Sequence, residues 1–219
     1  MPRPTELVLF DLDGTLVDTA PDLAAAANRL RQRRGLAPLP IEVLRPAASH
    51  GARGLVGAAL NVTPENADFA ACSEEFLVEY AQRVCVESRV FDGIEKLLGA
   101  LEARGVRWGV VTNKAARFTE PLLNALHLQK RAACVVSGDT TAHLKPHPAS
   151  LLHALALCQV AAEATLYVGD DERDIHAGHA AGMRTVAARY GYLGSVNPVD
   201  RWGADHQVDT PEQILQLLG

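Results

Sequence analysis

The sequence predicts an α/β fold in which helices cover a parallel sheet and a block of helices is inserted after the first strand. From residue 91 onwards, short apolar runs alternate with segments of helical periodicity, and this alternation is typical of parallel strands joined by helical crossovers. The first apolar run, Leu7–Phe10, lies far before the others in the sequence. The long segment between them shows only the residue spacing of helices. We therefore expect a Rossmann-like core with an all-helical insert.

Composition favours a soluble globular protein. The chain has 219 residues, of which 48% are hydrophobic and 21% charged, enough for one large domain with a sizeable core. Its apolar runs are far shorter than the roughly 18 residues that span a bilayer. A net charge of −5 without a long basic run argues against nucleic-acid binding. With no apolar signal segment at the N-terminus, the prediction is a soluble cytoplasmic protein that binds neither membrane nor nucleic acid.

The cysteines agree with a reducing compartment. They lack the close pairs of a zinc site and lie in apolar stretches, so buried or half-buried free thiols are predicted. The four positions are Cys72, Cys85, Cys134 and Cys158.

The insert is predicted to consist of helices. Residues 21–34 have apolar positions at helical spacing and are followed by Gly35, which favours a helix end there. A joint rich in proline (Pro38, Pro40 and Pro46) leads to a Gly- and Ala-rich stretch, and residues 66–87 predict one long amphipathic helix. We therefore assign residues 16–88 to a helical cap, and residues 1–15 and 89–219 to the core.

The core is predicted as alternating elements. In chain order they are a helix over 94–104, a strand over 108–111, a helix over 118–126, a strand over 133–136, a helix from Pro148, a strand over 165–168, a helix near Ile175, a strand over 185–187 and a closing helix from Pro211.

Polar side chains follow the predicted strands at the edge where such sheets bind ligands. The chemically suggestive positions are Asp11, Asp13, Thr112, Asn113, Lys114, Lys145, Asp170, Asp171 and Asp174. Grouped carboxylates repel one another unless a cation lies among them, and a few hard oxygen ligands suit Mg²⁺. One carboxylate can then attack phosphorus, while another, two residues on, transfers the proton.

The remaining polar groups fit the same chemistry. The Thr112 hydroxyl and the backbone amides at Thr112 and Asn113 would hold a transferring phosphoryl group. Lys145 would offset its negative charge, with Pro146 keeping the lysine backbone extended.

These motifs resemble those of the haloacid dehalogenase superfamily of phosphatases. The matching segments are 10–15, the strand-terminal Thr112, Lys145 with Pro146, and 169–174, and the helical insert lies where that superfamily carries a cap. The resemblance implies that Asp11 is the nucleophile and Asp13 the general acid and base. It also implies that the carboxylates of Asp11 and Asp170 and the carbonyl of Asp13 bind Mg²⁺.

The resemblance extends these roles to neighbouring residues. It implies that Thr112 and Asn113 bind phosphate, that Lys145 is the motif lysine, and that Asp174 supports the metal site. Asp171 would also support the site, at a position where many relatives carry Ser or Thr. Lys114 is a further candidate for a cation beside the phosphate.

A narrower likeness links segments 50–53, 108–114, 169–175, 190–192 and 202–205 to N-acetylmuramic acid 6-phosphate phosphatases and the related phosphoglycolate phosphatases. It implies that Gly51 and Arg53 in the cap face the substrate, Arg53 meeting an anionic group. The expected partner is a small phosphorylated metabolite, the sugar phosphate first and 2-phosphoglycolate as the alternative.

Other functions remain open at the level of sequence. A phosphomutase would share the aspartyl-phosphate step, whereas a 2-haloacid dehalogenase needs no cation-binding carboxylates. A binding module on an inactive scaffold would predict the loss of Asp11, Asp13, Lys145 or Asp170, all of which are present. The acidic residues after 169 could also serve only as favourable charges in a helix's first turn. The sequence leaves the oligomeric state undetermined.

Overall fold

A computed structural model of the protein describes residues 4–194 and 196–219, so residues 1–3 of the predicted core lie outside the described residues. Within these ranges one parallel sheet has the order β5-β4-β1-β6-β7-β8. Its strands are β1 Leu7–Phe10, β4 Arg107–Val111, β5 Val135–Val136, β6 Thr165–Gly169, β7 Arg184–Ala188 and β8 His206–Val208. The α/β fold with a Rossmann-like sheet is confirmed.

The register brings the predicted polar residues together. Phe10 at the end of β1 pairs with Val110 of β4 on one side and with Val168 of β6 on the other. The residues that follow these three central strands therefore meet at one edge. Ligands bind at this carboxyl edge in open α/β sheets.

Both faces of the sheet are buried. Val8 and Phe10 belong to a core on one face, whereas Leu7 and Leu9 pack into a second core on the other. A strand whose two faces are both buried by helices has a continuous apolar sequence. This is why β1 carries no polar residue before its end.

Helices cover the sheet and build the insert. The helices of the insert are α1 Ala20–Arg33, α2 Ile41–Ala48, α3 Gly51–Leu60 and α4 Phe69–Ala81, and those of the core are α5 Ile94–Ala103, α6 Ala116–Ala125, α7 Ala149–Cys158 and α8 Glu172–Ala180. We call α1 to α4 the helical unit; its members pack on one another. Short strands β2 Val17–Asp18 and β3 Arg89–Val90 pair antiparallel where the chain enters and leaves it.

Some predicted elements are wrong in extent or type. Pro46 lies inside α2 rather than in a joint, near the C-terminal end of the helix, where its missing N–H removes a single backbone bond. The predicted closing helix is a 3₁₀-helix, Pro211–Leu217. The short strands β2, β3 and β8 were not predicted, since two or three residues show no detectable alternation.

The four cysteines are free thiols, three buried and Cys85 half-buried, as predicted. Among the described residues, the helices are all too short or too polar to cross a bilayer.

The long helix predicted over 66–87 is also wrong, because α4 ends at Ala81. Asp22 in the first turn of α1 explains this. Its buried carboxylate accepts hydrogen bonds from the backbone N–H groups of Val86 (2.9 Å) and Ser88 (2.8 Å), and from the Ser88 hydroxyl (2.6 Å). These bonds hold the chain in a turn that leads into β3.

Replacement of Asp22 by Ala should destabilise the protein by about 2–3 kcal/mol, because partly buried backbone donors lose their acceptor. Urea unfolding measures the change. Asp68→Ala is the matched control, since Asp68 is exposed and its side chain does not cap α4; a change within about 0.5 kcal/mol is expected there. Equal effects of the two substitutions would contradict this role for Asp22.

Candidate active site

The carboxyl end of β1 places Asp11 beside a buried lysine. The Asp11 backbone N–H still bonds to Val168 (2.9 Å) in β6, so its side chain lies at the sheet edge. Lys145 Nζ is 2.8 Å from Asp11 Oδ1 and 2.6 Å from Asp174 Oδ1. Burial opposes the charge of Lys145, but the two carboxylates outweigh it and raise the lysine pKa.

Asp11, Asp170 and Asp174 form one acidic group, with a carboxylate oxygen of each within 4.8 Å of the others. Burial is the main cause that raises the pKa of Asp11 to about 7, with Lys145 acting against it. Burial and the negative charges of Asp11 and Asp174 raise the pKa of Asp170 well above its usual range. This buried, oxygen-only group is short of positive charge, so its donor chemistry fits a divalent cation.

Hydrogen bonds fix the orientation of Asp170. Its Oδ1 accepts from the Thr15 hydroxyl (2.8 Å) and its Oδ2 from the Tyr192 backbone N–H (2.9 Å). Gly14 and Gly191 are tightly packed against this side chain, and a Cβ at either would lie less than 2.5 Å from its atoms. The turn after β1 and the loop after β7 thus form the walls around Asp170.

Two side chains position Lys145. The Tyr167 hydroxyl accepts from Lys145 Nζ (2.8 Å) and lies 3.1 Å from Asp174 Oδ1. Asn113 Oδ1 accepts from the Lys145 backbone N–H (2.8 Å), while Asn113 Nδ2 donates to the Lys145 carbonyl (3.1 Å). The predicted phosphate residue Asn113 therefore uses its side chain to hold the lysine loop, and its backbone amide is the group left for a phosphoryl oxygen.

Asp13 and Lys114 form a second charged pair next to the acidic group. Lys114 Nζ is 2.9 Å from Asp13 Oδ1 and lies 4.6 Å from the centre of the Tyr80 ring in α4. Thr19 at the start of α1 also donates a hydrogen bond to Asp13. The Asp13 side chain is therefore held by the core and by the helical unit together. Thr112 is buried beside them, and its hydroxyl oxygen accepts from the Lys114 N–H (3.1 Å).

The structure places the Asp171 carboxylate on Arg173 rather than in the acidic group. Asp171 caps α8, and its two oxygens accept from the Arg173 guanidinium at 2.7 and 2.9 Å. Arg173 also donates to the Ser49 carbonyl (2.7 Å) between α2 and α3. This arginine, which the sequence does not single out, links the sheet edge to the helical unit.

The sheet edge and the helical unit enclose a cavity of about 350 Å³. Its polar floor contains the predicted residues Asp11, Asp13, Thr112, Asn113, Lys114, Lys145, Asp170, Asp171 and Asp174. Gly51, at the start of α3 with a φ of 55°, also lines it. Arg53 does not; it is exposed and lines a neighbouring cavity that shares His50 and Arg173 with the first.

The wall of the cavity opposite this floor contains apolar side chains that were not predicted, beside the basic His50, Arg117 and Arg173. The larger apolar side chains are Leu23, Phe76, Leu77, Tyr80, Phe118 and Leu144. Leu144 lies in a loop, and in the sequence the other five show only the periodicity of helices that pack on a core, so nothing separates a wall position from an ordinary buried one.

Comparison with known proteins places the chain among phosphomonoester hydrolases. It is 41% identical over 211 residues to N-acetylmuramic acid 6-phosphate phosphatase of Pseudomonas aeruginosa, with 96% of this chain and 93% of that protein covered. It is 44% identical over 210 residues to phosphoglycolate phosphatase of Xanthomonas campestris pv. campestris, covering 95% and 94%. A crystal structure described as a predicted phosphoglycolate phosphatase from Haemophilus somnus superposes with a TM-score of 0.85 at 28% identity, covering 98% of both chains.

The chain belongs to the haloacid dehalogenase-like hydrolase family, whose model matches residues 8–188. The resemblance seen in the sequence motifs is thereby confirmed. Phosphatases of this family generally use a divalent metal, in agreement with the acidic group formed by Asp11, Asp170 and Asp174.

Replacement of Asn113 by Ala should lower kcat for phosphate release roughly tenfold to a hundredfold, because two hydrogen bonds that fix the Lys145 backbone are worth about 1–3 kcal/mol together. The measurement is initial phosphate release from p-nitrophenyl phosphate. Asn124→Ala, an exposed asparagine on α6, should keep the wild-type rate. A wild-type rate in Asn113→Ala would show that Lys145 needs no such support.

Proposed function

We propose that this protein is a Mg²⁺-dependent phosphatase that acts through an aspartyl-phosphate at Asp11. The observation that carries the proposal is the position of Lys145 Nζ between Asp11 and Asp174, beside Asp170 and on the lining of the cavity. This arrangement supports a carboxylate kept ready for attack in a site sheltered from bulk water.

The metal would be held by the carboxylates of Asp11 and Asp170 and the backbone carbonyl of Asp13, with Asp174 supporting the site through Lys145. When bound, Mg²⁺ neutralises negative charge on the carboxylates and on the phosphoryl oxygens. The raised pKa values of Asp11 and Asp170 support this assignment, since burial and mutual repulsion disfavour their charged forms until a cation is present.

The side chains divide the reaction between them. An Asp11 oxygen attacks phosphorus, and the bond from phosphorus to the ester oxygen breaks. Asp13 gives a proton to the leaving oxygen, then takes one from the water that attacks the aspartyl-phosphate. The Thr112 hydroxyl, the Asn113 backbone amide and Lys145 hold the phosphoryl oxygens. The contacts of Asp13 with Lys114 and Thr19 support this role, because they orient its carboxyl group.

The helical unit is proposed to act as a cap, over residues 16–88, that selects the substrate. We infer that the substrate is N-acetylmuramic acid 6-phosphate, with 2-phosphoglycolate as the alternative. A cavity of about 350 Å³ with an apolar wall including Phe76, Leu77 and Phe118 supports the larger compound. A sugar ring presents apolar faces to such a wall, whereas a two-carbon acid would leave most of the space to water.

The substrate assignment predicts a preference of about a hundredfold in kcat/KM for N-acetylmuramic acid 6-phosphate over 2-phosphoglycolate, or about 2.7 kcal/mol. Phosphate release with Mg²⁺ measures it, and Asp11→Asn serves as the blank because it lacks the nucleophile. The opposite preference would assign the protein to 2-phosphoglycolate. Transfer of phosphate to a second sugar hydroxyl without its release would identify a mutase and contradict hydrolysis.

The metal assignment predicts that Mg²⁺ raises the Tm of the wild-type protein, because a ligand that binds only the folded state stabilises it. Asp170→Ala should abolish this rise. Asp171→Asn is the matched control: its carboxylate is already bound by Arg173, and Asn still caps a helix, so the Mg²⁺ response should persist. Loss of the response in both variants, or in neither, would contradict a site built on Asp170.

A further inference from the structure

Arg117 differs from the other positively charged side chains that line the cavity. Lys145 pairs with Asp11 and Asp174, Lys114 with Asp13, and Arg173 with Asp171. Arg117 lies in the first turn of α6 and is exposed, and within the part of the chain that the structure describes it forms no ion pair. It is therefore a cation whose charge no carboxylate of the cavity balances.

The Arg117 guanidinium lies over an aromatic ring. Its Cζ lies 4.7 Å from the centre of the Phe118 ring, and Phe118 packs against Tyr80 of α4 with ring centres 5.4 Å apart. Stacking on an aromatic face restrains a guanidinium while leaving its N–H donors free at the edges. The planar guanidinium can donate two parallel N–H hydrogen bonds to the two oxygens of a carboxylate.

We propose that Arg117 recognises a carboxylate of the substrate, so the natural substrates are phosphomonoesters that also carry a carboxylate. This inference rests on the proposed function. Lys145, Thr112 and the Asn113 backbone amide, on the floor of the cavity, would bind the phosphoryl group of the substrate. Arg117 lies on the wall of the cavity, where α6 meets the helical unit. A second anionic group that extends from the floor towards this wall meets an unpaired guanidinium.

The other basic groups of the wall fit this role less well. Arg173 is held by the Asp171 carboxylate and the Ser49 carbonyl. Burial and the positive charge of Arg173 lower the pKa of His50, so this imidazole is mostly uncharged at neutral pH. N-acetylmuramic acid 6-phosphate and 2-phosphoglycolate both carry a carboxylate, and the inference therefore does not depend on which of them is the substrate.

The test compares pairs of substrates in which only one member carries a carboxylate. The carboxylated compounds are N-acetylmuramic acid 6-phosphate and 2-phosphoglycolate; their partners without it are N-acetylglucosamine 6-phosphate and ethyl phosphate. Arg117→Gln should lower kcat/KM about thirtyfold for the better carboxylated substrate, mainly through KM, because a hydrogen bond to a charged group is lost. It should lower kcat/KM less than about threefold for the partner compound. Arg117→Lys keeps the positive charge but not the planar pair of N–H donors, so an intermediate loss of kcat/KM is expected.

Lys130→Gln is the matched control, since it removes one positive charge from an exposed residue outside the cavity lining. Equal losses on both members of a substrate pair in Arg117→Gln would overturn the inference. So would the same selective loss in Lys130→Gln, because it would reflect net charge alone. Phosphate release by the wild-type protein from none of the four compounds would instead overturn the proposed function. An unchanged Tm in Arg117→Gln shows that folding is not the cause of a loss.

Discussion

The balance of charge around Lys145 is the constraint on which the candidate site depends. Strands β1 and β6 end side by side, and this brings Asp11, Asp170 and, from the first turn of α8, Asp174 into one acidic group. Buried carboxylates are costly unless they are paired and hydrogen-bonded. The ammonium of Lys145 contacts two of them, and Asn113 holds its backbone. The remaining deficit of positive charge is what suits the group to a divalent cation.

Two contacts extend this edge into the helical unit. Lys114, paired with Asp13, lies over the Tyr80 ring of α4, and Arg173, paired with Asp171, reaches the Ser49 carbonyl. In each contact a carboxylate of the core orients a cation that touches the insert. The position of the helical unit is therefore coupled to the residues that would transfer protons and bind the phosphoryl group. Closure over a substrate can complete the site as well as exclude water.

The sequence predicts the floor of the site better than its walls, for a physical reason. Asp11 and Asp170 are recognisable because each interrupts an apolar strand at its end, and parallel strands must bring those ends together. The link from Arg173 to Ser49 joins residues distant in sequence, and no local pattern encodes it. The same applies to Asp22, whose bonds to the 86–88 turn end α4 six residues before the predicted boundary at residue 87. Helical periodicity continued there, but tertiary hydrogen bonds determined the outcome.

The wall is also where discrimination between substrates must originate. Relatives with two different names match this chain at 41% and 44% identity over nearly its whole length, so overall similarity does not separate them. The carboxylates and the lysine of the floor are set by the chemistry of phosphoryl transfer, which both reactions share. Side chains such as Phe76, Leu77 and Phe118 line the cavity away from these charges, where the two proposed substrates would differ. Specificity can therefore change by substitution on α4 and α6 without disturbing the charge balance at Lys145.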